Sequence, residues 1–222
     1  MADPASRLAT VRDAIAASAK LARRDPAGVA LVAVSKTRSA EQIEQLIAAG
    51  QRDFGESRVQ EALEKWPALR RTHPDVRLHM IGRLQSNKAD AAVELFDVIH
   101  SLDRRSLLDA LVREADKANR RPSVYVQVNI GAEEQKGGVA ISDLPELLGA
   151  VRASPLPLAG LMCIPPLGQQ PGPFFALLAE LARRHDVTGL SMGMSADYRT
   201  AVMLGATVVR VGTALFEDAS AG

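Results

Sequence analysis

Eight short apolar runs alternate with segments of helical spacing along this 222-residue chain, and this order restricts the fold more than any other feature. Such runs are typical of parallel strands covered on both faces. We predict strands at residues 29–35, 52–55, 78–82, 98–101, 123–129, 158–164, 189–192 and 207–211.

The segments between these runs carry helix signals. In the clearest one, at 39–49, Ser39 and Gln42 have the spacing of a capping box and Gly50 marks the stop. Further helices are predicted at 5–23, 57–71, 87–95, 104–119, 142–153, 173–185 and 196–204.

Alternation of this kind occurs both in doubly wound sheets and in closed barrels. Eight strands, with no GxGxxG motif after the first, favour an α/β fold with one (β/α)8 TIM barrel domain over residues 1–222. Only TALFEDASAG remains after the last strand, too little for a full helix. We expect the N-terminal helix, within residues 1–25, to pack on the barrel there.

Composition argues against several classes of partner. Lys and Arg total 27 against 26 acidic residues, so no polyanion-binding surface is indicated. Cys163 is the sole cysteine, which rules out an intramolecular disulfide and a cysteine metal cluster. No apolar run approaches the roughly 20 residues of a membrane span. We expect a soluble, cytoplasmic monomer without a metal, bound neither to nucleic acid nor to a membrane.

Polar residues gather at the carboxyl ends of the predicted strands, where barrels carry their active sites. Lys36 follows the first strand, and Arg210 lies near the end of the eighth. The other rim residues that we single out are Glu56, Ser57, Arg58, Gln85, Asn87, Lys88, His100, Ser101, Gln127, Asn129, Met162, Cys163, Ser191, Gly193, Ser195, Gly212 and Thr213.

Lys36 and Arg210 each allow a functional and a structural interpretation. A lysine partly desolvated at a barrel mouth supplies the neutral amine that forms a Schiff base with an aldehyde. An arginine aimed at a heterocycle keeps the ring nitrogen unprotonated, because the guanidinium holds its own proton. The alternatives are a solvated Lys36 and, for either cation, an ion pair with Glu56.

The loops after the last two strands have the residues of an anion site. Ser191, Gly193 and Ser195 precede a predicted helix, and Gly212 and Thr213 follow the eighth strand. Barrels often hold phosphate at this pair of loops, although a lone Gly/Ser loop is more often a turn.

Seven stretches together resemble the pyridoxal phosphate homeostasis protein family, single-domain relatives of the alanine racemase barrel. They are LVAVSKT, FGESRVQEA, HMIGRLQSNKA, IHSLD, QVNIGAEEQKGGV, LAGLMCIPP and LSMGMSADYRTAVMLGATVVRVGTALF, in order from residue 31 to 216.

The resemblance implies pyridoxal 5'-phosphate (PLP) joined to Lys36 as a Schiff base, with Arg210 at its pyridine nitrogen. It implies a phosphate site made by Ser195, Gly212 and Thr213 with the backbone of Ser191, Met192, Gly193 and Met194. Lys136 matches the family's second recurrent lysine. Three positions depart from the pattern: Ser57 replaces an asparagine that could reach the cofactor, Leu78 an aromatic residue and Glu217 a glycine.

The resemblance further implies a PLP carrier or buffer for apo PLP-dependent enzymes rather than an enzyme. A two-base racemase needs a tyrosine on the far face of the cofactor, which alanine racemases take from a further domain. Tyr125 and Tyr198 do not obviously replace it, and His79 and His100 are interpreted as core residues. The alternatives are a PLP-dependent amino acid racemase and a Schiff-base aldolase.

Overall fold

The structure, a computed structural model, describes residues 3–133 and 135–216. Eight parallel strands follow one another around a closed barrel in chain order, and the last pairs with the first. This confirms the predicted (β/α)8 barrel. The strands are β1 Ala30–Val34, β2 Asp53–Glu56, β3 Arg77–Met80, β4 Val98–Leu102, β5 Ser123–Gln127, β6 Leu158–Met162, β7 Leu190–Ser191 and β8 Val208–Val211.

Helices surround the barrel and alternate with its strands. They are α1 Pro4–Leu21, α2 Ala40–Ala48, α3 Val59–Thr72, α4 Ala89–Leu95, α5 Arg105–Ala118, α6 Leu144–Arg152, α7 Gly172–Arg184, α8 Tyr198–Met203 and α9 Thr213–Phe216, with short 3-10 turns at Pro26–Gly28 and Ser86–Lys88. Within residues 3–133 and 135–216, none of these helices has the length and apolar character needed to cross a bilayer.

Several predicted elements extend beyond the observed ones, and two of these differences have a clear physical reason. β6 ends at Met162 rather than at residue 164, because Pro165 and Pro166 follow and have no N–H for a ladder. α8 begins at Tyr198 rather than at residue 196, because a turn precedes it in which the Asp197 carboxylate accepts from the Met194 N–H at 2.6 Å. Residue 217, one of the three departures, lies outside the described residues.

The N-terminal helix covers the side of the barrel next to α8 and α9. Leu8, Val11 and Ile15 form its buried face. The chain beyond the helix is also fixed there, because Arg24 donates to the carbonyls of Val202 at 2.6 Å and Ala206 at 2.9 Å. α1 therefore takes the place that a full helix after β8 would occupy.

Alternation along the strands separates two interiors. The larger apolar core lies between the strands and the helices, and a small cluster of Val32, Val98, Tyr125, Met162 and Val208 lies inside the barrel. Besides this cluster, the inside of the barrel holds buried polar residues, namely His79, His100, Ser191 and Arg210. Burying polar groups destabilises a fold unless they are paired. Polar side chains inside a barrel therefore point towards a functional role.

Candidate functional site

A cavity of about 280 Å³ opens at the carboxyl end of the barrel, beside the ends of β1 and β8. This volume is just below the usual range for ligand pockets. Six of the ten residues predicted to bind a cofactor line it: Lys36, Met194, Ser195, Arg210, Gly212 and Thr213. Thr37 and Arg38 also line it and were not singled out from the sequence. We call it the Lys36 cavity.

The segment that carries Lys36 is held in an unusual backbone conformation. Thr37 has φ 62, in the left-handed region that few β-branched residues adopt, and its N–H donates to Glu61 at 2.5 Å. Lys65 donates to the carbonyl of Ser35 at 3.0 Å and to Glu61 at 2.8 Å. Two residues one helical turn apart in α3 thus fix the backbone on both sides of Lys36.

The structure does not show the desolvated setting expected for Lys36. Its side chain is exposed, because it leaves the end of β1 into an open cavity rather than into an apolar wall. The amine is accessible to a ligand that enters from solvent.

Glu56 is not the counter-ion of Lys36 or Arg210 considered above. Its side chain is fully buried on the helix-facing side of β2 and accepts from Trp66 at 3.0 Å, with the ammonium of Lys65 at 2.9 Å. Arg210 lies on the inward-facing side of β8, and Lys36, two residues beyond β1, lines the same cavity as Arg210.

The loop after β7 requires glycine. Gly193 has φ +93, and a Cβ at this position would lie 2.5 Å from the Cβ of Ala201. Gly212, which follows β8, approaches β1 closely, since a Cβ there would lie 3.3 Å from the Cβ of Val34. The two loops are joined because the N–H of Gly212 donates to the hydroxyl of Ser195 at 3.2 Å.

Arg210 is a buried cation at the inner side of the Lys36 cavity. Its guanidinium donates to the Ser191 hydroxyl at 2.5 Å and to the carbonyl of Cys163 at 3.0 Å. Burial lowers the pKa of Arg210 below its usual value, and nearby Asp197 opposes this. An arginine keeps its proton in such surroundings, so the cavity presents a fixed positive charge.

Four predicted residues do not line the Lys36 cavity, namely Ser57, Ser191, Met192 and Gly193. Ser191 supports Arg210, Met192 is fully buried, and the carbonyl of Gly193 accepts from the backbone N–H of Arg210 at 2.9 Å. Ser57 follows β2, and its carbonyl packs closely against Gly82.

The other candidate side chains lie elsewhere. Lys136 lines a separate cavity of about 320 Å³ and contacts Glu133 at 2.7 Å and the carbonyl of Pro165 at 3.3 Å. Tyr198 is buried in the large core. Tyr125 faces the opposite end of the barrel, where it lines another cavity.

Comparison with known proteins agrees with this geometry. Residues 10–220 match the family described as Alanine racemase, N-terminal domain. An alanine racemase of Corynebacterium glutamicum, 19% identical, superposes with a TM-score of 0.66 over 95% of this chain and 63% of that one, which shows a shared fold. The protein is thus a barrel of the alanine racemase N-terminal class.

Closer relatives define the group within that class. The pyridoxal phosphate homeostasis protein of Synechocystis sp. is 43% identical over 206 residues, 87% of this chain and 93% of the relative. That of Pseudomonas aeruginosa is 42% identical over 222 residues, 97% and 96% of the two chains. PipY of Synechococcus elongatus, solved with PLP bound, is 41% identical with a TM-score of 0.82 over 96% of this chain and 99% of that one. The chain belongs to the pyridoxal phosphate homeostasis protein family.

Proposed function

We infer that this protein binds PLP covalently through Lys36 and acts in PLP homeostasis, as a carrier that holds the cofactor and passes it to apo PLP-dependent enzymes. One observation carries the proposal: Lys36, the buried Arg210 and the loops after β7 and β8 all line the same cavity. The PLP-bound structure of PipY supports the choice of cofactor.

The donors of the Lys36 cavity fit the chemistry of PLP. Lys36 would supply the amine that joins the PLP aldehyde as a Schiff base, with the aldehyde oxygen released as water. Ser195, Gly212 and Thr213 hold the phosphate with a hydroxyl, a close backbone and a second hydroxyl. Arg210 would face the ring nitrogen and, because the guanidinium keeps its own proton, would hold that nitrogen unprotonated.

The same residues favour a carrier over a racemase. Bound PLP supplies a ring that accepts electrons from an amino acid carbanion, and the cation of Arg210 weakens this capacity by keeping the ring nitrogen unprotonated. A racemase also needs a second acid–base group. Among the described residues that line the Lys36 cavity, no Tyr, His, Cys, Asp or Glu accompanies the lysine.

The intact mass and absorption spectrum of the purified protein test the proposal. After borohydride reduction we expect one adduct with the mass added by PLP, absent from Lys36→Ala and retained by Lys136→Ala, whose lysine lines a different cavity. An adduct that persists in Lys36→Ala contradicts the assignment of Lys36.

The rival functions give different results in two further measurements. An aldolase is indicated if the purified wild-type protein carries no PLP and borohydride traps a phosphorylated sugar on Lys36. Rapid exchange of the α-proton of alanine in deuterium oxide, at catalytic protein concentration, would indicate a racemase.

A further inference from the structure

A continuous chain of five side chains crosses the inside of the barrel from its amino end to Arg210. Asp53 Oδ1 lies 2.9 Å from His79 Nε2, and His79 Nδ1 lies 2.9 Å from His100 Nε2. His100 Nδ1 lies 2.8 Å from the hydroxyl of Ser191, which accepts from Arg210 at 2.5 Å. Each distance is that of a hydrogen bond.

The charged ends fix the direction of every hydrogen bond in this chain when both histidines are neutral. An ionised Asp53 only accepts, so His79 carries its proton on Nε2 and its Nδ1 accepts. His100 must then donate from Nε2 and accept at Nδ1. The hydroxyl of Ser191 donates to that Nδ1, and its oxygen accepts from Arg210. All donors therefore point from Arg210 towards Asp53.

One extra proton would reverse part of this order. If His79 were doubly protonated, it would donate to both neighbours, and His100 would carry its proton on Nδ1 instead. Ser191 would then accept from both His100 and Arg210, and its own hydroxyl proton would no longer have an acceptor among the five side chains. The two arrangements thus differ in the tautomer of His100.

The surroundings of His100 favour its neutral form. His100 is fully buried and stacks on Tyr125 with ring centroids 4.5 Å apart. Burial, together with electrostatic repulsion between a protonated His100 and its neighbours His79 and Arg210, lowers the pKa of His100 well below its usual 6.5. At the Asp53 end of this hydrogen-bonded chain, Arg77 Nη1 lies 3.7 Å from the Asp53 carboxylate.

We propose that Asp53, His79 and His100 are positioning residues which, through Ser191, hold the Arg210 guanidinium in one orientation and so fix the electronic state of the bound cofactor. This inference rests on the proposed function, because it concerns the ring that Arg210 faces. Asp53 thereby influences the Lys36 cavity from the opposite end of the barrel.

The direction of the chain is tested on the cofactor-free protein. Long-range ¹H–¹⁵N spectra of ¹⁵N-histidine-labelled protein report which ring nitrogen carries the proton, and His79→Gln and His100→Gln assign the signals among the four histidines. We expect both residues as the Nε2–H tautomer. A proton on Nδ1 of His100 would overturn the proposal, and this result does not depend on PLP.

The link to the cofactor is tested with Asp53→Asn, which keeps the acceptor oxygen and removes the charge. We expect a shifted absorption maximum of bound PLP and an affinity weaker by about fivefold, in the range for changes that act through intervening side chains. His100→Gln, whose amide can accept and donate in the same directions, should stay closer to wild type than His100→Leu.

A matched control is Asp75→Asn, at an exposed carboxylate that pairs with Arg52 at the same end of the barrel. It should leave the spectrum and affinity unchanged. If wild type binds PLP and Asp53→Asn matches it in both measurements, the link to the cofactor is overturned. If wild type binds no PLP, the proposed function fails while the histidine spectra still decide the order of the chain.

Discussion

The two ends of the barrel each open into a cavity, and the larger of the two is not the one proposed to hold the cofactor. The amino-end cavity, with a volume of about 420 Å³, is lined by residues that include Asp53, Arg77 and Tyr125. The Lys36 cavity is smaller, at about 280 Å³, yet it combines an accessible amine with a buried cation. The identity and setting of the lining residues therefore distinguish the ends better than volume does.

The ends also differ in how each holds an arginine. Arg77 has a side chain 61% exposed, so water screens its charge. Arg210 is 3% exposed and satisfies backbone and side-chain acceptors inside the barrel. A ligand that meets Arg210 therefore meets a charge with little competing water, which strengthens the interaction.

The same substitution at both arginines gives the largest expected contrast. Arg210→Met should weaken PLP binding at least about tenfold, the cost of losing one hydrogen bond from a charged group. It should also lower the free energy of unfolding by about 2–4 kcal/mol, because the Ser191 hydroxyl and the Cys163 carbonyl lose a buried donor. Titration with PLP and urea denaturation measure the two effects.

Arg77→Met serves as the control. Its effect on unfolding should stay within about 0.5 kcal/mol, as for most exposed substitutions, and PLP affinity should change less than about twofold. Equal losses of affinity in the two variants would break the distinction between the ends.

The barrel follows from the sequence because each buried parallel strand must be a short apolar run and each helix has its own start and stop signals. The ends of elements are less certain. β7 contains Leu190–Ser191 alone, although the apolar pattern extends from 189 to 192. The pattern records burial, whereas strand length depends on which neighbours supply hydrogen-bond partners.

Six of the ten predicted site residues line one cavity, because strand order brings together the carboxyl ends of strands that are far apart in sequence. The Asp53–His79–His100 chain was missed because each histidine, taken alone, fits a core position. A signal was present: polar residues occupy inward-facing positions of three consecutive strands, β2, β3 and β4. Their contacts depend on barrel stagger, which periodicity does not give.

A pair of glycines with similar backbone angles tests whether the carboxyl-end loop is the more tightly built. Gly193→Ala must adopt a left-handed conformation and meet the Cβ of Ala201 at 2.5 Å, so we expect a loss of about 3 kcal/mol in unfolding free energy. PLP affinity should also fall, because the substitution displaces the neighbouring Ser195.

Gly205→Ala, at the amino end with φ +107, meets only the flexible end of Leu190 at 3.4 Å. It should cost about 1 kcal/mol and leave PLP affinity unchanged. Denaturation curves give the loss of unfolding free energy in each variant, and PLP titrations give the change in affinity. Equal losses of stability would mean that packing around Gly193 adds nothing to the backbone strain.

The smallest expected effect concerns the interactions of Glu61 and Lys65 with the backbone on both sides of Lys36, at the carboxyl end of the barrel. Burial alone would raise the pKa of Glu61, but hydrogen bonds from Lys65 and the Thr37 amide outweigh it and lower the pKa below its usual 4.5. A carboxylate with a lowered folded-state pKa stabilises the fold above the unfolded value, and this contribution is lost as the pH falls through the folded-state value.

Glu61→Gln should therefore destabilise the protein by roughly 1 kcal/mol at neutral pH, since the carboxylate is partly exposed. Its melting temperature should fall less than that of wild type as the pH drops below 4.5. Glu64→Gln, at an exposed position of the same helix, should follow the wild-type curve. The Thr37 amide should exchange faster in Glu61→Gln, and unchanged exchange there would show that the carboxylate does not hold the backbone beside Lys36.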